Sequence, residues 1–247
     1  MIRHFHNQFK KILSEVKLFS LEIFVLLGIF IISLSVFIII ARMVFEGKLQ
    51  NFDNKALVFI AGYVTNINTN VMEGFTFLGT HTFLIPANLL ITAWFLFIKK
   101  RHWYSIKVPA VALSSLLLML ILKLTFRRDR PLDPLLQAAK GFSFPSGHAL
   151  MSVTFYGLLI LIVWQNIKKA WLRWTLSVFL ILLIVAIGLS RVYLRVHYAS
   201  DVLGGFTVGL VWLLLSLWIL SRVEKSSKRN ITSNALAIKH DLENSKN

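Results

Sequence analysis

Residues 202–221 read VLGGFTVGLVWLLLSLWILS, a run of 20 residues without a charged side chain. A helix that crosses the hydrocarbon core of a bilayer needs about 20 apolar residues, so this run predicts a membrane span. Five stretches of similar character precede it, which makes six predicted spans, at roughly 23–41, 75–98, 108–126, 149–167, 174–190 and 202–221. Because an open sheet leaves backbone groups unsatisfied in lipid, we expect an all-α fold, a six-span transmembrane helix bundle.

The composition of the chain agrees with a membrane protein. Of the 247 residues, 56% are hydrophobic and 15% are charged, whereas soluble domains are about 25% charged. The 27 basic and 11 acidic residues give a net charge of +16. Basic charge on so apolar a chain favours a membrane protein with basic loops over a nucleic-acid-binding protein. There are no cysteines, which excludes disulfides, thiolate metal sites and cysteine nucleophiles.

The distribution of Lys and Arg predicts the orientation. With the N-terminus inside, the inner segments hold 17 of the 27 basic residues. The positive-inside rule then predicts that both termini lie in the cytoplasm. We expect a multi-pass protein of the cell (inner) membrane. Three regions follow: a basic cytoplasmic segment at 1–22, the six-span domain at 23–221, and a basic cytoplasmic tail at 222–247. The Lys, Ser and Asn content of that tail predicts disorder.

The remaining basic residues cluster at the outer ends of spans. Seven of these ten fall within 123–140 and 191–195. In KLTFRRDRP at 123–131, Lys123 and Arg130 are seven residues apart, so they share a face if the helix continues for two turns to Arg130. A basic span end can simply extend to lipid head groups. An ionisable residue as deep as Lys123, however, is a functional candidate by default.

A second cluster, FPSGH at 144–148, directly precedes the fourth span. Ser146 is suited to cap the following helix, and Gly147 lets another group approach the backbone closely. The free N–H groups and partial positive charge of a helix N-terminus suit a phosphate, and His148 stands beside them. A capped helix with an interfacial histidine is the purely structural alternative.

The third cluster, SRVYLRVHYASD at 190–201, leads into the sixth span. His197 and Asp201 are four residues apart, so on a helix the carboxylate can accept a hydrogen bond from one imidazole nitrogen. The other nitrogen is then free to act as a nucleophile or base. For this pair alone, a structural hydrogen bond is the alternative.

By the six-span topology the three clusters meet at one outer face. Together they supply cations, a helix N-terminus and two histidines, the set that phosphoryl transfer needs. The clusters closely resemble the motifs of the type 2 phosphatidic acid phosphatases, the integral-membrane branch of a superfamily that includes acid phosphatases and vanadium haloperoxidases. That family's pattern is Lys-six-Arg-Pro, then Pro-Ser-Gly-His, then Ser-Arg-five-His-three-Asp. Every spacing is kept here, and the resemblance covers roughly 75–221.

The resemblance implies a core like that of the acid phosphatases and haloperoxidases, and a role for each motif residue. His197 attacks phosphorus and forms a phosphohistidine, while Asp201 orients His197. His148 protonates the leaving oxygen and then activates water. The phosphate is held by Lys123, Arg130, Ser146, Gly147 and Arg191. No metal or other cofactor is needed, and the partners are the bilayer and a membrane lipid rather than nucleic acid.

The resemblance leaves the substrate open among lipid phosphate monoesters and diphosphates. The candidates are phosphatidic acid, phosphatidylglycerol phosphate, diacylglycerol pyrophosphate and undecaprenyl pyrophosphate. Three further cations outside the motifs either widen the positive field toward a second phosphate or lie on a solvated face: Arg127, Arg128 and Arg195. The first of these readings favours diphosphates.

Three other functions remain as alternatives. One is a lipid phosphotransferase of the same fold. A zinc hydrolase could use His148, His197 and Asp201 as ligands, but neighbouring cations would repel the metal. An anion transporter with a cationic vestibule is disfavoured because the polar residues gather at one face and no internal repeat is visible.

Three features outside the motifs also carry predictions. The alternating polar and apolar residues of 43–74 predict short helices that lie in the membrane interface. Gly205 and Gly209 form a Gly-x-x-x-Gly pair, for which we expect close helix packing within the bundle rather than dimerisation. His81, in the second predicted span, is expected to be a packed core residue.

Overall fold

The computed structural model describes the backbone of residues 2–135 and 141–244, and the side chains of 23–135 and 141–229. Within these ranges all regular structure is helical, as predicted. The helices are α1 (Ile2–Phe45), α2 (Gln50–Ala61), α3 (Asn66–Leu78), α4 (His81–Ala93), α5 (His102–Phe126), α6 (Gly147–Asn166), α7 (Ala170–Tyr193) and α8 (Ala199–Asn244). A π-helical turn, Trp94–Ile98, extends α4.

Six helical segments of the described chain are long and apolar enough to cross a membrane, which agrees with the predicted number. They are Ile23–Phe45, His81–Ile98, His102–Phe126, Gly147–Asn166, Ala170–Tyr193 and Ala199–Arg229. The second begins later than predicted, because α3 ends at Leu78 and the extended backbone of Thr80 separates it from α4. His81 is therefore the first residue of α4 and is exposed, so its assignment as a packed core residue was wrong.

The first and last helices extend beyond their spans. α1 begins at Ile2, and α8 continues through the segment for which disorder was predicted, as far as Asn244. That segment contains neither Gly nor Pro, the residues that most disfavour a helix interior. Glu224 also pairs with Lys228 one turn later and with Lys107 on α5, which ties this helix to the bundle. Residues 245–247 of the predicted tail lie outside the described residues.

The centre of the bundle is α6, which packs against α5, α7 and α8. Its contact with α8 is close because two glycines face it. A Cβ atom at Gly205 would lie 2.6 Å from the Ser146 carbonyl oxygen, and one at Gly209 would lie 3.0 Å from the Leu150 carbonyl oxygen. Close packing within the bundle is thereby confirmed for the Gly-x-x-x-Gly pair. The same contact fixes the start of α6 against the first turns of α8.

The predicted short helices of the segment after the first span are α2 and α3. Both pack across one end of the bundle, α2 against α7 and α8, and α3 against α7. Asp53 of α2 is completely buried, whereas Val58 and Phe59 on the same helix are 74% and 69% exposed. α2 therefore presents an acidic side chain to the protein and apolar side chains outward.

Candidate active site

All eight residues assigned to the site come together at the end of the bundle that α2 and α3 cover. Lys123 lies in the last turn of α5, and Ser146, Gly147 and His148 lie at the start of α6. Arg191 lies in the last turn of α7, and Asp201 in the first turn of α8. Arg130 and His197 lie in the two segments between these helices. The predicted meeting of the three clusters at one face is therefore observed.

Lys123 and Arg130 meet through a chain reversal. α5 ends at Phe126, because Arg127 adopts a left-handed conformation with φ of 46°, so the predicted two-turn helix from Lys123 to Arg130 is wrong. Instead, both side chains donate to the Phe142 carbonyl oxygen, Lys123 Nζ at 2.5 Å and Arg130 Nη2 at 3.4 Å. Arg130 also donates to the Gly141 and Val196 carbonyl oxygens, at 2.9 and 2.7 Å. The returning chain thus holds both cations beside His197.

His197 is buried, with 2% of its surface exposed. The sequence predicted that His197 and Asp201 would share one face of a helix. They do not, because α8 begins only at Ala199. The contact nonetheless forms, with Nδ1 3.5 Å from Asp201 Oδ2 and 3.3 Å from the Ser143 hydroxyl oxygen. The Ser143 hydroxyl also donates to Asp201 Oδ2, so one serine contacts both members of the pair.

The other imidazole nitrogen faces the cations. His197 Nε2 lies 3.4 Å from Arg130 Nη1. A guanidinium can only donate, so this contact favours the tautomer whose Nε2 carries a lone pair and whose Nδ1 carries the proton. Burial lowers the pKa of His197 to about 4; Asp201 opposes this shift, and the charges of Lys123 and Arg130 add to it. His197 is therefore neutral near pH 7, the state that a nucleophile requires.

Three site side chains carry buried polar atoms without a hydrogen-bond partner among the described residues: Ser146 Oγ, His148 Nε2 and Arg191 Nε. Ser146 is the N-terminal capping residue of α6, but its hydroxyl makes no cap hydrogen bond, contrary to the prediction. An unsatisfied buried polar group costs about 1–3 kcal/mol. Three of them in one site are what is expected where a polar ligand or water binds.

Neighbouring residues fix the geometry of this anion site. A Cβ atom at Gly147 would lie 2.4 Å from Met119 Sδ, so a larger residue would displace the Met119 side chain. Arg191 Nη1 donates to the Thr76 hydroxyl at 3.2 Å, and that hydroxyl lies 2.6 Å from the Ser190 hydroxyl. Thr76 is a residue of α3 that sequence reasoning missed, because a single threonine in an apolar helix carries no motif.

Arg128 does not lie on a solvated face, one of the two expectations for it, because its guanidinium contacts two carboxylates. Its Nη1 donates to Asp201 Oδ1 at 2.6 Å and to Ser200 Oγ at 2.7 Å, and its Nη2 donates to Asp53 Oδ2 at 2.6 Å. The guanidinium also lies 4.2 Å from the centre of the Tyr198 ring. Burial would lower the pKa of Arg128, but the two carboxylates outweigh burial and raise it.

The other cations outside the motifs are placed differently. Arg127 is exposed and its Nε donates to the Leu124 carbonyl oxygen at 3.0 Å. Arg195 is half-buried and has a left-handed backbone with φ of 52°. Lys140, the remaining basic residue of the outer clusters, lies outside the described residues.

Comparison with known proteins gives consistent likenesses. A sequence model described as the PAP2 superfamily matches residues 104–225. Phosphatidylglycerophosphatase B of Bacillus subtilis (strain 168) is 33% identical over 184 residues, which cover 72% of this chain and 88% of that protein. The Escherichia coli (strain K12) protein YbjG, which carries the name of an undecaprenyl-diphosphatase, is 30% identical over 131 residues, covering 51% of this chain and 62% of that protein.

Two solved structures share the fold over most of this chain. The crystal structure of a transmembrane PAP2-type phosphatidylglycerolphosphate phosphatase from Bacillus subtilis superposes with a TM-score of 0.72 at 27% identity, covering 78% of this chain and 96% of that one. Aquifex aeolicus LpxE superposes with a TM-score of 0.53 at 24% identity, covering 66% of this chain and 93% of that one, a likeness of fold alone. With its six apolar helices, the chain is a multi-pass membrane protein.

Proposed function

The chain belongs to the PAP2 superfamily, and from this premise we propose that it is a membrane phosphatase that removes phosphate from lipids. One observation carries the proposal: buried, unpartnered polar atoms of Ser146, His148 and Arg191 lie in the same site as the nucleophile candidate His197. Such a site offers hydrogen-bonding groups to an anion inside the protein. These are the conditions under which preorganised charges stabilise a phosphoryl transition state.

The reaction proceeds in two steps. In the first, Nε2 of His197 attacks phosphorus, the bond from phosphorus to the lipid oxygen breaks, and the protonated imidazole of His148 gives its proton to that oxygen. In the second, His148 takes a proton from water, the resulting hydroxide attacks phosphorus, and the P–N bond breaks. Inorganic phosphate and the lipid with one phosphate fewer are the products. Lys123, Arg130 and Arg191 hold the phosphoryl oxygens throughout, while Asp201 keeps His197 in place.

The substrate proposal is a broad one, covering phosphate monoesters and diphosphates on lipids. The names of the two relatives, a phosphatidylglycerophosphatase and an undecaprenyl-diphosphatase, support both kinds. The sequence-based preference for diphosphates loses part of its basis, since two carboxylates already bind Arg128. We therefore expect no contact between Arg128 and a second phosphate.

The proposed orientation places the site at the outer surface of the cell membrane and both termini in the cytoplasm. Its support is the charge distribution: the short segments between α4 and α5 and between α6 and α7 carry Lys and Arg without acidic residues. These segments lie at the end of the bundle opposite the site, where α1 begins and α8 ends. A lipid can then enter from the outer leaflet with its chains still in the bilayer.

The test is phosphate release by the purified chain in detergent from the four candidate lipids, with a chelator present. We expect turnover of at least one lipid, and none for the His197→Ala variant. Hydrolysis yields the lipid product and an equal amount of free phosphate, whereas phosphotransfer yields the lipid product without free phosphate. Measuring both products therefore separates the two reactions. A wild-type chain that releases phosphate from none of the four lipids would refute the proposed function. Loss of activity on chelation would instead favour the zinc hydrolase.

A further inference from the structure

A fully buried carboxylate outside the three motifs contacts the catalytic end of the molecule. Asp53 lies on α2, with none of its surface exposed. Its Oδ1 accepts from the Ser200 backbone N–H at 2.9 Å, and its Oδ2 accepts from the Ser200 hydroxyl and from Arg128 Nη2, both at 2.6 Å. Phosphate binding does not account for Asp53, because an acid repels a phosphate and these contacts already engage both its oxygens.

The contacts continue from Asp53 to the nucleophile candidate. Arg128 uses one terminal nitrogen for Asp53 and the other for Asp201 Oδ1, each at 2.6 Å. The second oxygen of Asp201 accepts from the Tyr198 backbone N–H at 2.9 Å and from the Ser143 hydroxyl. The carboxylate is thus held from both sides, and only its Oδ2 is directed at His197.

The geometry at His197 makes this support consequential. Nδ1 is 3.5 Å from Asp201 Oδ2 and 3.3 Å from Ser143 Oγ, both longer than the usual hydrogen-bond range of about 2.7–3.2 Å. A small further shift of the carboxylate would therefore break its contact with Nδ1. A misplacement of about 1 Å in a reacting group can cost about 10²-fold in rate. The position of Asp201 therefore controls the orientation of the His197 imidazole. Arg128 in turn holds Oδ1 of Asp201.

Resting on the proposed function, we propose that Asp53 and Arg128 are positioning residues for the phosphoryl-transfer step. Asp53 holds the guanidinium of Arg128, Arg128 holds Asp201, and Asp201 with Ser143 holds the imidazole of His197. Neither residue touches the substrate. The inference extends the site to α2, a helix that lies before the region 104–225 matched by the family model.

A contribution to stability alone is the competing account. A buried ion pair is weak evidence for stability, because desolvation can cancel the attraction between the charges. Removing one partner, however, leaves the other charge buried and can unfold a protein. The experiment must therefore measure a rate per folded molecule rather than total activity.

Single-turnover kinetics meet this requirement. With full-length enzyme in excess over the lipid that the wild-type chain hydrolyses fastest, the rate constant reports the chemistry of folded molecules, whereas unfolded molecules lower only the effective enzyme concentration. At saturating enzyme we expect Asp53→Asn to lower this constant about tenfold and Arg128→Gln about 100-fold. In steady-state assays KM should stay within about twofold, because the hydrogen bonds described above for Asp53 and Arg128 go to Ser200 and Asp201 and to each other rather than to the phosphate-holding side chains.

The double variant tests whether Asp53 acts through Arg128. Asp53→Asn should cost less than about twofold more when added to Arg128→Gln, since the group that it positions is already absent. This double variant also removes one of the two carboxylates that Arg128→Gln would leave unpaired. Arg127→Gln, one residue away but exposed and without a carboxylate contact, is the matched control and should keep the wild-type rate constant.

Several outcomes would overturn the inference. An unchanged single-turnover rate constant for Asp53→Asn would leave Asp53 a structural residue. Additive losses in the double variant would mean that Asp53 does not act through Arg128. A loss in Arg127→Gln equal to that in Arg128→Gln would mean that the rate depends on the total positive charge near the site rather than on the contacts of Arg128. In each case the wild-type chain remains active, so the proposed function would stand. A wild-type chain without turnover refutes the proposed function itself.

Discussion

At the scale of single residues, the two histidines of the site differ in what surrounds them. Asp201 and Ser143 occupy Nδ1 of His197, which leaves only Nε2 for phosphorus. Nε2 of His148, in contrast, has no hydrogen-bond partner among the described residues. An oriented imidazole suits nucleophilic attack, and one whose nitrogen is available suits proton transfer. The surroundings thus divide the two roles.

Separate substitutions of the two histidines should distinguish these roles. His197→Ala should abolish turnover, because it removes the nucleophile of the proposed reaction. His148→Ala should slow lipid hydrolysis by about 10²–10⁴-fold, the usual contribution of general acid–base catalysis. On p-nitrophenyl phosphate, whose leaving group needs little protonation, the His148 variant should recover much of that loss. Equal losses on both substrates would exclude His148 as the acid.

The protonation state of His197 can be measured directly. Because burial and the nearby cations hold its pKa near 4, the imidazole should stay neutral from pH 8 down to about pH 5 and protonate only below that. An unfolded histidine protonates near pH 6.5, so His197 should make the fold less stable as the pH falls from about 6.5 toward 4. NMR titration of labelled histidines, assigned with the His197→Ala variant, gives the midpoint. A midpoint of 6.5 or above would contradict the burial argument.

The types and spacings of the motif residues predicted from the sequence which side chains come together, whereas the supporting residues could not be predicted. Lys123, His148 and His197 belong to short patterns with a chemical purpose. Asp53 reaches Ser200 across 147 positions of the chain, and no local period records such a contact. Arg128 was noticed for its charge alone, since only the fold shows that two carboxylates bind it.

At the scale of elements, the spans were predictable because hydropathy determines them, whereas the backbone of the polar segments that follow them was not. α5 stops at Phe126, four residues before Arg130, and His197 precedes α8. In both places the chain leaves the helix so that a side chain can turn toward the site. Helix periodicity therefore predicted that Lys123 lies near Arg130 and His197 near Asp201, but from a helical geometry that the chain does not adopt there. Tertiary contacts, such as the hydrogen bonds from Arg130 to backbone carbonyls, determine where these helices end.

The contact between α6 and α8 can be tested with a pair of glycines. Gly205→Ala should destabilise the protein by about 1–3 kcal/mol, because the new methyl group would lie 2.6 Å from a backbone oxygen of Ser146. Gly28→Ala in α1 is the matched control, since no atom lies within 4 Å of its Cβ position. Thermal unfolding in detergent should show a midpoint several degrees lower for Gly205→Ala alone. Equal midpoints for the two variants would mean that the packing relaxes without cost.

At the scale of the whole molecule, the two ends of the bundle carry different chemistry. One end contains the site, covered by α2 and α3. The other contains basic segments and the Lys107–Glu224 ion pair, whose atoms lie 2.7 Å apart and which joins α5 to α8. The sequence predicted this polarity from the distribution of basic residues. It did not predict that α8 would continue as a helix beyond the bundle.

The orientation in the membrane is a prediction for a reporter experiment. Green fluorescent protein fused after Asn247 should fluoresce, because the basic inner segments place the C-terminus in the cytoplasm. Alkaline phosphatase fused at the same position should be inactive. A second pair of fusions within 62–65, between α2 and α3, should give the opposite result and serves as the internal control. Active alkaline phosphatase after Asn247 would place the catalytic face in the cytoplasm.

The hydrogen bonds that Ser200 donates to Asp53 also have a consequence for biosynthesis. α2 leaves the ribosome well before α8, yet the catalytic end contains side chains from both. While the chain is being made, the inserted portion at first holds Lys123 of α5 and His148 of α6 without His197 and Asp201. A nascent chain that has not reached His197 therefore lacks the nucleophile and cannot attack a lipid phosphate.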